Sequence, residues 1–266
     1  MKLYPLYEFP PDEASLLKIL FEFDNSQPVS RSEAVEIVQQ VYGKRQSRSK
    51  IIVRNFQDLG LLSLSNQKIN LSQETQLYLD MSKKVSDLLL NLTFRNIDLF
   101  KVCFDICEIP NYNDLSNPKI IDFLVYNMGY HREKLTTAKE KMFALRRLIN
   151  ICNPSDEQNE FKTYQSFIKF LGILENEYLG ITGQYYGEAI PLNLLKENII
   201  NNTPYSSSQI NIYIEKLYLD ILLSRNVSFT NANVEFAKMG YFEISKKNYY
   251  FIKIFDSLYQ SPLVLF

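Results

Sequence analysis

The chain has no tryptophan, one histidine, three cysteines and eight glycines in 266 residues. With a single histidine, His131, a Ser-His-Asp or Cys-His enzyme has one position to use. Its surroundings, Gly-Tyr-His-Arg-Glu-Lys, match no nucleophile arrangement, so an exposed or capping histidine is expected. The glycines are too few and too scattered for a phosphate loop, and nothing matches Gly-x-x-x-x-Gly-Lys. Cys103, Cys107 and Cys152 form an odd set without paired spacing. That argues against a disulfide framework and for a reducing compartment. Cys103 and Cys107 lie one helical turn apart, but a structural zinc site needs about four ligands, so buried apolar thiols are expected and neither metal nor cofactor is. No apolar run nears the roughly 20 residues that cross a bilayer. The opening MKLYPLYEFPPDE has no cationic segment followed by an apolar one. The expected location is the cytoplasm, with no membrane partner.

Apolar residues make up 46% of the chain, with 18 Tyr and 18 Phe, enough for a packed core of one large or two to three small domains. The formal net charge is -1, so any nucleic-acid site has to come from local patches.

The N-terminal quarter carries the clearest order. Residues 1–11 are rich in Tyr and Pro and predict an extended arm. Leu16, Leu17, Leu20 and Phe21 recur at helical spacing behind Asp12 and Glu13, which suit a helix N-terminus. Ser30 stands three residues before Glu33, a capping box, and Val35, Ile37, Val38 and Val41 form the stripe that follows, up to Gly43. After a polar turn, Ile52, Phe56 and Leu59 share one face of a third helix, which Gly60 ends. Leu61 and Leu64 are then expected to cover the core from a strand, Ser65-Asn66-Gln67 to form a tip, and Leu71 to return the chain. Helix, helix, helix, hairpin, with Phe-x-x-Leu-Gly-Leu-Leu and Ile-x-Leu-Ser at the end, resembles the winged helix-turn-helix superfamily. The resemblance covers residues 12–75.

The rest reads as mainly helical, giving a fold class of mainly α with small β-hairpins. The expected divisions are 1–80, a winged helix; 81–155, a helical region; and 156–266, helices with a hairpin. Gly60, Gly172 and Gly240 each follow an apolar helix end and precede strand-like residues. Gly172 leads to EYLGI, and Met239-Gly240 to YFEIS and YYFIKIF. These echoes point to a second winged helix and a candidate third. Helices are expected at about 192–202 and 206–225.

Between Arg31 and Arg54 six cations (Arg31, Lys44, Arg45, Arg48, Lys50, Arg54) face two carboxylates, Glu33 and Glu36, a local charge of +4. Ser47, Lys50 and Arg54 fall on the side of the third helix away from its apolar face. In a helix-turn-helix that helix enters the major groove. Lys44, Arg45, Ser47, Arg48, Lys50 and Arg54 are therefore candidate DNA contacts, Asn55 and Gln57 candidate readers of adenine, and Lys68 a phosphate contact beside the hairpin tip. A second run, Arg132, Lys134, Lys139, Lys141, Arg146 and Arg147 against Glu133 and Glu140, also sums to +4 and is a candidate second surface. Either run is also what an ordinary solvated face looks like.

Asp156, Glu160 and Lys162 show the Glu-x-Lys spacing of metal-dependent nucleases, but in a polar segment leading into a helix. The leading expectation is a non-enzymatic protein that binds double-stranded DNA. Its length beyond residue 80 suits an accessory subunit of a DNA-processing or antiviral defence assembly, or a dimeric transcription regulator. The alternative is protein contact. Tandem winged helices resemble the kleisin-interacting (KITE-like) accessory subunits of SMC complexes.

Overall fold

Asp12 opens the first helix by accepting the Ser15 amide at 2.7 Å on its carboxylate, satisfying one of the donors a helix start leaves free. A computed structural model describes residues 1–81, 83–153, 160–220, 223–231, 241–244 and 246–258. Helix α1 (Glu13–Asp24) buries Leu16, Ile19, Leu20 and Phe23. That stripe has the i, i+3, i+4, i+7 period of one helix face. It leaves Phe21, expected inside, at 47% exposure. Helix α2 (Arg31–Tyr42) starts with the expected capping box, in which the Ser30 amide donates to the Glu33 carboxylate and the Glu33 amide to the Ser30 hydroxyl. Helix α3 (Gln46–Leu59) buries Ile52, Val53, Phe56 and Leu59. Each such side chain contributes about 1.5–3 kcal/mol by leaving water. Gly60 follows at φ +83°, left-handed.

Strands β1 (Leu62–Ser65) and β2 (Lys68–Leu71) pair antiparallel, Ser65 opposite Lys68. Asn66 and Gln67 both have positive φ, the requirement of a two-residue type I′ turn. Leu61 and Leu62 are buried, but Leu64, expected to cover the core, is 64% exposed, because its face of the strand runs out toward the turn. A pairing that the sequence does not announce completes this sheet. The Val29 amide donates to the Ile69 carbonyl at 2.9 Å, and the Ile69 amide to the Val29 carbonyl at 2.7 Å. Val29 lies between α1 and α2, so the order across the sheet is Val29, β2, β1.

Five more helices follow: α4 (Gln73–Asp80), α5 (Val85–Arg95), α6 (Ile97–Cys107), α7 (Asn117–Asn127) and α8 (Leu135–Cys152). Helix α5 is buried nearly all round, through Val85, Leu88, Leu89, Leu90, Leu92 and Phe94, the mark of a central helix. The N-terminal arm packs along its length, with Leu3, Leu6 and Phe9 buried and the Phe9 ring edge-on to Phe56 at 5.8 Å. The next helix, α9 (Glu160–Ile181), runs unbroken through Gly172 and EYLGI. This overturns the expected strand and the third winged helix with it. Phe167, Phe170, Leu171, Leu174 and Tyr178 are buried on both sides of Gly172, and tertiary burial outweighs the roughly 1 kcal/mol cost of a helical glycine.

The chain divides into two compact units, Met1–Thr163 and Tyr164–Phe266, with the boundary inside α9. In the second unit α9 is followed by β3 (Ala189–Pro191), α10 (Leu192–Asn202), α11 (Ser207–Leu219), a 3-10 turn at Leu223–Asn226, β4 (Val227–Thr230), β5 (Phe242–Ile244), β6 (Lys247–Tyr249) and β7 (Phe251–Ile254). The helix expected to reach residue 225 stops at Leu219. Strand β5 pairs with β6, which takes up the expected turn residues and only the first Tyr of YYFIKIF, whereas β7, the rest of that expected arm, sits between β3 and β4, antiparallel to both. Met239 and Gly240 lie outside the described residues. The sheet order is β3, β7, β4.

Both units therefore share one connectivity. A helix is followed by a short strand, two helices, a strand, and a last strand that pairs between the other two. The second unit adds an excursion before its last strand, which contains β5 and β6. The fold is mainly helical with small antiparallel sheets.

Candidate nucleic-acid interface

Helical geometry separates α3 into two sides. Ser47, Lys50 and Arg54 are exposed, opposite the buried Ile52, Phe56 and Leu59. Arg54 is 73% exposed at its side chain, and its Nε lies 3.6 Å from Asp58 one turn on, an arrangement worth little in water. Lys44 and Arg45 stand exposed just ahead of the helix, Arg45 at its N-cap position. Lys68 is exposed where β2 leaves the turn. Asn55 does not belong to this face. It is buried, and its Nδ2 donates to the Glu8 carbonyl at 2.6 Å. Asn55 lies three residues after Ile52 and four before Leu59, so the helix turns it inward. It is a core residue, not a reader of bases. Gln57 is half-buried.

Arg48 joins a different arrangement, centred on Glu8 in the N-terminal arm. The Glu8 side chain is buried, and it receives Arg48 Nη1 at 3.1 Å and Arg147 Nη1 at 2.7 Å. Arg147 also donates to the Phe9 carbonyl and the Tyr42 hydroxyl, both at 2.8 Å. Burial raises the Tyr42 hydroxyl pKa, with Arg147 opposing the rise. The arm, α2, α3 and α8 thus meet at one carboxylate. Nothing local in the sequence marks Glu8, because its partners lie 40 and 139 residues away.

The second basic run is not one cationic face. Lys141 is buried, with Nζ 2.7 Å from Glu133 and 3.2 Å from the Leu3 carbonyl. Arg146 donates to the carbonyls of Leu115 and Asn113 and to Asn117, which fixes the segment before α7. Arg132 lies ahead of α8 and pairs with Asp122 at 2.8 Å. Lys134 and Lys139 are exposed and make no ion pair among the described residues. Half of the run holds the first unit together. One residue of each half meets the first run. Lys44 and Arg48 from one, and Lys139 and Arg147 from the other, line a cleft of about 460 Å³ where the sequence showed no pocket.

Comparison with family models, with curated proteins and with solved structures finds no match to this chain. Its geometry alone carries the functional reading.

Cys103 and Cys152 are fully buried and burial pushes both thiols well up, while Cys107 is pushed up to about 12. His131 is exposed, and its amide donates to the Met1 carbonyl at 2.7 Å, tying down the N-terminal arm. Glu160 opens α9, and Lys162 Nζ lies 3.7 Å from Glu108. Asp156 falls outside the described residues. Among the described residues no three His, Cys, Asp or Glu side chains stand close enough to hold a metal ion. No helix among them is long and apolar enough to cross a membrane.

Proposed function

We propose that this chain is a tandem winged-helix protein, without catalytic activity, whose first unit binds double-stranded DNA through α3 and the β1–β2 wing. The observation that carries the reading is the sheet order Val29, β2, β1 behind α2 and α3. With it goes an amphipathic helix with Ser47, Lys50 and Arg54 outward, beside a hairpin with Lys68 exposed near its tip. A helix of this kind suits the major groove, and the hairpin suits the flanking backbone. The second unit repeats the connectivity as β3, β7, β4, which supports a second winged helix there. The length of the chain suits an accessory subunit of a DNA-processing or antiviral defence assembly, or a regulator acting as a homodimer.

One observation favours a second reading for the second unit. Aligned from their first residues, α3 and α11 bury corresponding positions: Ser49 and Ile210, Val53 and Ile214, Phe56 and Leu217. On the exposed side Lys50 corresponds to Asn211 and Arg54 to Glu215, beside Ile212 at 62% exposure. An uncharged-to-acidic face with an open Ile suits a protein partner better than phosphate. This is the manner of the accessory subunits of SMC-type complexes.

The test is duplex binding by the full chain across a salt series, compared with Lys50→Ala/Arg54→Ala. Steep weakening with salt, and loss in the double variant, supports DNA contact by α3. No duplex affinity near physiological salt removes that reading and leaves the protein-contact reading standing.

A further inference from the structure

Two runs of basic residues that lie about ninety residues apart converge on one concave site in the first unit. Lys44 lies just ahead of α3 and Arg48 in its first turn, while Lys139 and Arg147 come from α8. Along α8 the residues Lys139, Phe143 and Arg147 are spaced four apart, so they form one stripe. Arg147 lies over the Phe143 ring at 4.1 Å from its centroid, yet Phe143 remains 52% exposed. An aromatic ring held by a cation and open to water is not needed for the core. Lys44 and Lys139 have no carboxylate partner among the described residues.

Four cations face two carboxylates, so the cleft carries two positive charges in excess. Glu8 is engaged by Arg48 and Arg147. Glu140 is 53% exposed at its side chain, and its one ion pair among the described residues is with Arg48, at 3.7 Å. Asn117, the first residue of α7, also lines the cleft. The volume, about 460 Å³, lies within the range of small-molecule sites, roughly 300–1,000 Å³.

We propose that this cleft binds a nucleoside phosphate, with the phosphates on Lys44, Lys139 and Arg48 and the base against Phe143. The chemistry combines a cationic end, which recognises phosphate oxygens, with an open aromatic ring, which recognises a planar base. The same chemistry is offered by a free nucleotide and by the 5′-phosphorylated end of an oligonucleotide. This inference does not rest on duplex binding by α3.

The experiment is calorimetric titration of the full chain with ATP, with inorganic phosphate, and with a dinucleotide carrying or lacking a 5′-phosphate. ATP is expected to bind and inorganic phosphate to bind far more weakly. A 5′-phosphorylated dinucleotide binding better than ATP names a nucleic-acid end as the source, and the reverse names a free nucleotide. Lys44→Glu/Lys139→Glu alters only exposed positions and is expected to weaken ATP about tenfold or more. Phe143→Ala is expected to weaken ATP severalfold and leave inorganic phosphate unchanged. Glu140→Gln releases Arg48 Nη2, while Nη1 stays on Glu8, and removes a rim carboxylate, so it is expected to tighten ATP severalfold. That gain is one a folding defect does not imitate. Absence of binding to ATP and to the phosphorylated dinucleotide overturns the proposal, as does binding that ignores Lys44→Glu/Lys139→Glu. Equal loss for ATP and phosphate in Phe143→Ala overturns the assignment of the base.

Discussion

Arg147 in α8 reaches back to Glu8 in the N-terminal arm, with Nη1 2.7 Å from Oε1. The side chains are 17% and 9% exposed, so the pair is largely out of water. Breaking a buried pair by removing one partner leaves the other charged and unpaired, at a cost of about 3–5 kcal/mol. Glu8→Ala is therefore expected to lower the melting temperature of the first unit by roughly 6–20 °C, at about 2–4 °C per kcal/mol for a unit of this size. A double-mutant cycle with Arg147→Met checks the coupling. Additive losses would remove the pair as the link between arm and α8. The half-exposed Arg48 is expected to couple more weakly.

Lys50 and Arg54 point away from everything that holds the first unit together. Lys50→Ala/Arg54→Ala is expected to leave thermal stability within about 0.5 kcal/mol. Every phosphate that loses its neutralising cation reduces the slope of log K against log salt by about 0.9, so deleting both cations reduces it by roughly 1.8. Fluorescence anisotropy with a labelled duplex, from low to physiological salt, measures it. Arg48 is a poorer probe than its charge suggests, because removing it also strips a partner from buried Glu8. An unchanged slope in the double variant would take α3 out of the interface.

Local signals in the sequence were legible because they act over three or four residues. The Ser30–Glu33 capping box, the Gly43 and Gly60 stops, and the two-residue turn at Asn66 all stand where the spacing puts them. What was missed acts over distance or in very short pieces. Val29 contributes a single bridge to Ile69, and the short β3 and β4 both pair with the distant β7, so no adjacent turn marks them as the tip at Asn66 marks β1 and β2. YYFIKIF reads as one arm of a hairpin, yet β7 belongs to another sheet. The site divides in the same way. The outward position of Lys50 and Arg54 follows from helical phase. Phase also turns Asn55 inward, but the partners of buried Asn55 and Lys141, the Glu8 and Leu3 carbonyls of the arm, lie far away in sequence.

Burial should make all three thiols slow. The thiolate is the reactive form, and an upward shift reduces its population at any given pH. For Cys107, pushed up to about 12, the thiolate fraction at pH 8 is roughly one in ten thousand. Cys103 and Cys152 are raised well above their ordinary value and have no exposure. A chromogenic disulfide reagent at pH 8 is expected to release almost nothing from the native chain over minutes, then three equivalents at once in guanidinium. Prompt reaction of one equivalent in the native state would contradict the packing around α6 and α8. Raising the pH toward 10 should speed Cys107 about tenfold per unit, because it remains well below its midpoint.

Two glycines that look alike in the sequence are expected to respond oppositely to the same substitution. Gly60 ends α3 at φ +83°, and a methyl group there would meet only Leu92, at an ordinary 3.6 Å. The obstacle is the backbone, since an L-residue in the left-handed region costs roughly 1–2 kcal/mol. Gly172 lies inside α9 with nothing within 4 Å of an added Cβ. Alanine there restricts the unfolded chain more than the folded one and should stabilise by about 0.5–1 kcal/mol. Scanning calorimetry of the full chain reads both. Gly60→Ala should lower the transition of the first unit, and Gly172→Ala should raise that of the second. A lower melting temperature for Gly172→Ala would mean that the chain turns at that glycine after all, and the unbroken α9, with the topology built on it, would have to be abandoned.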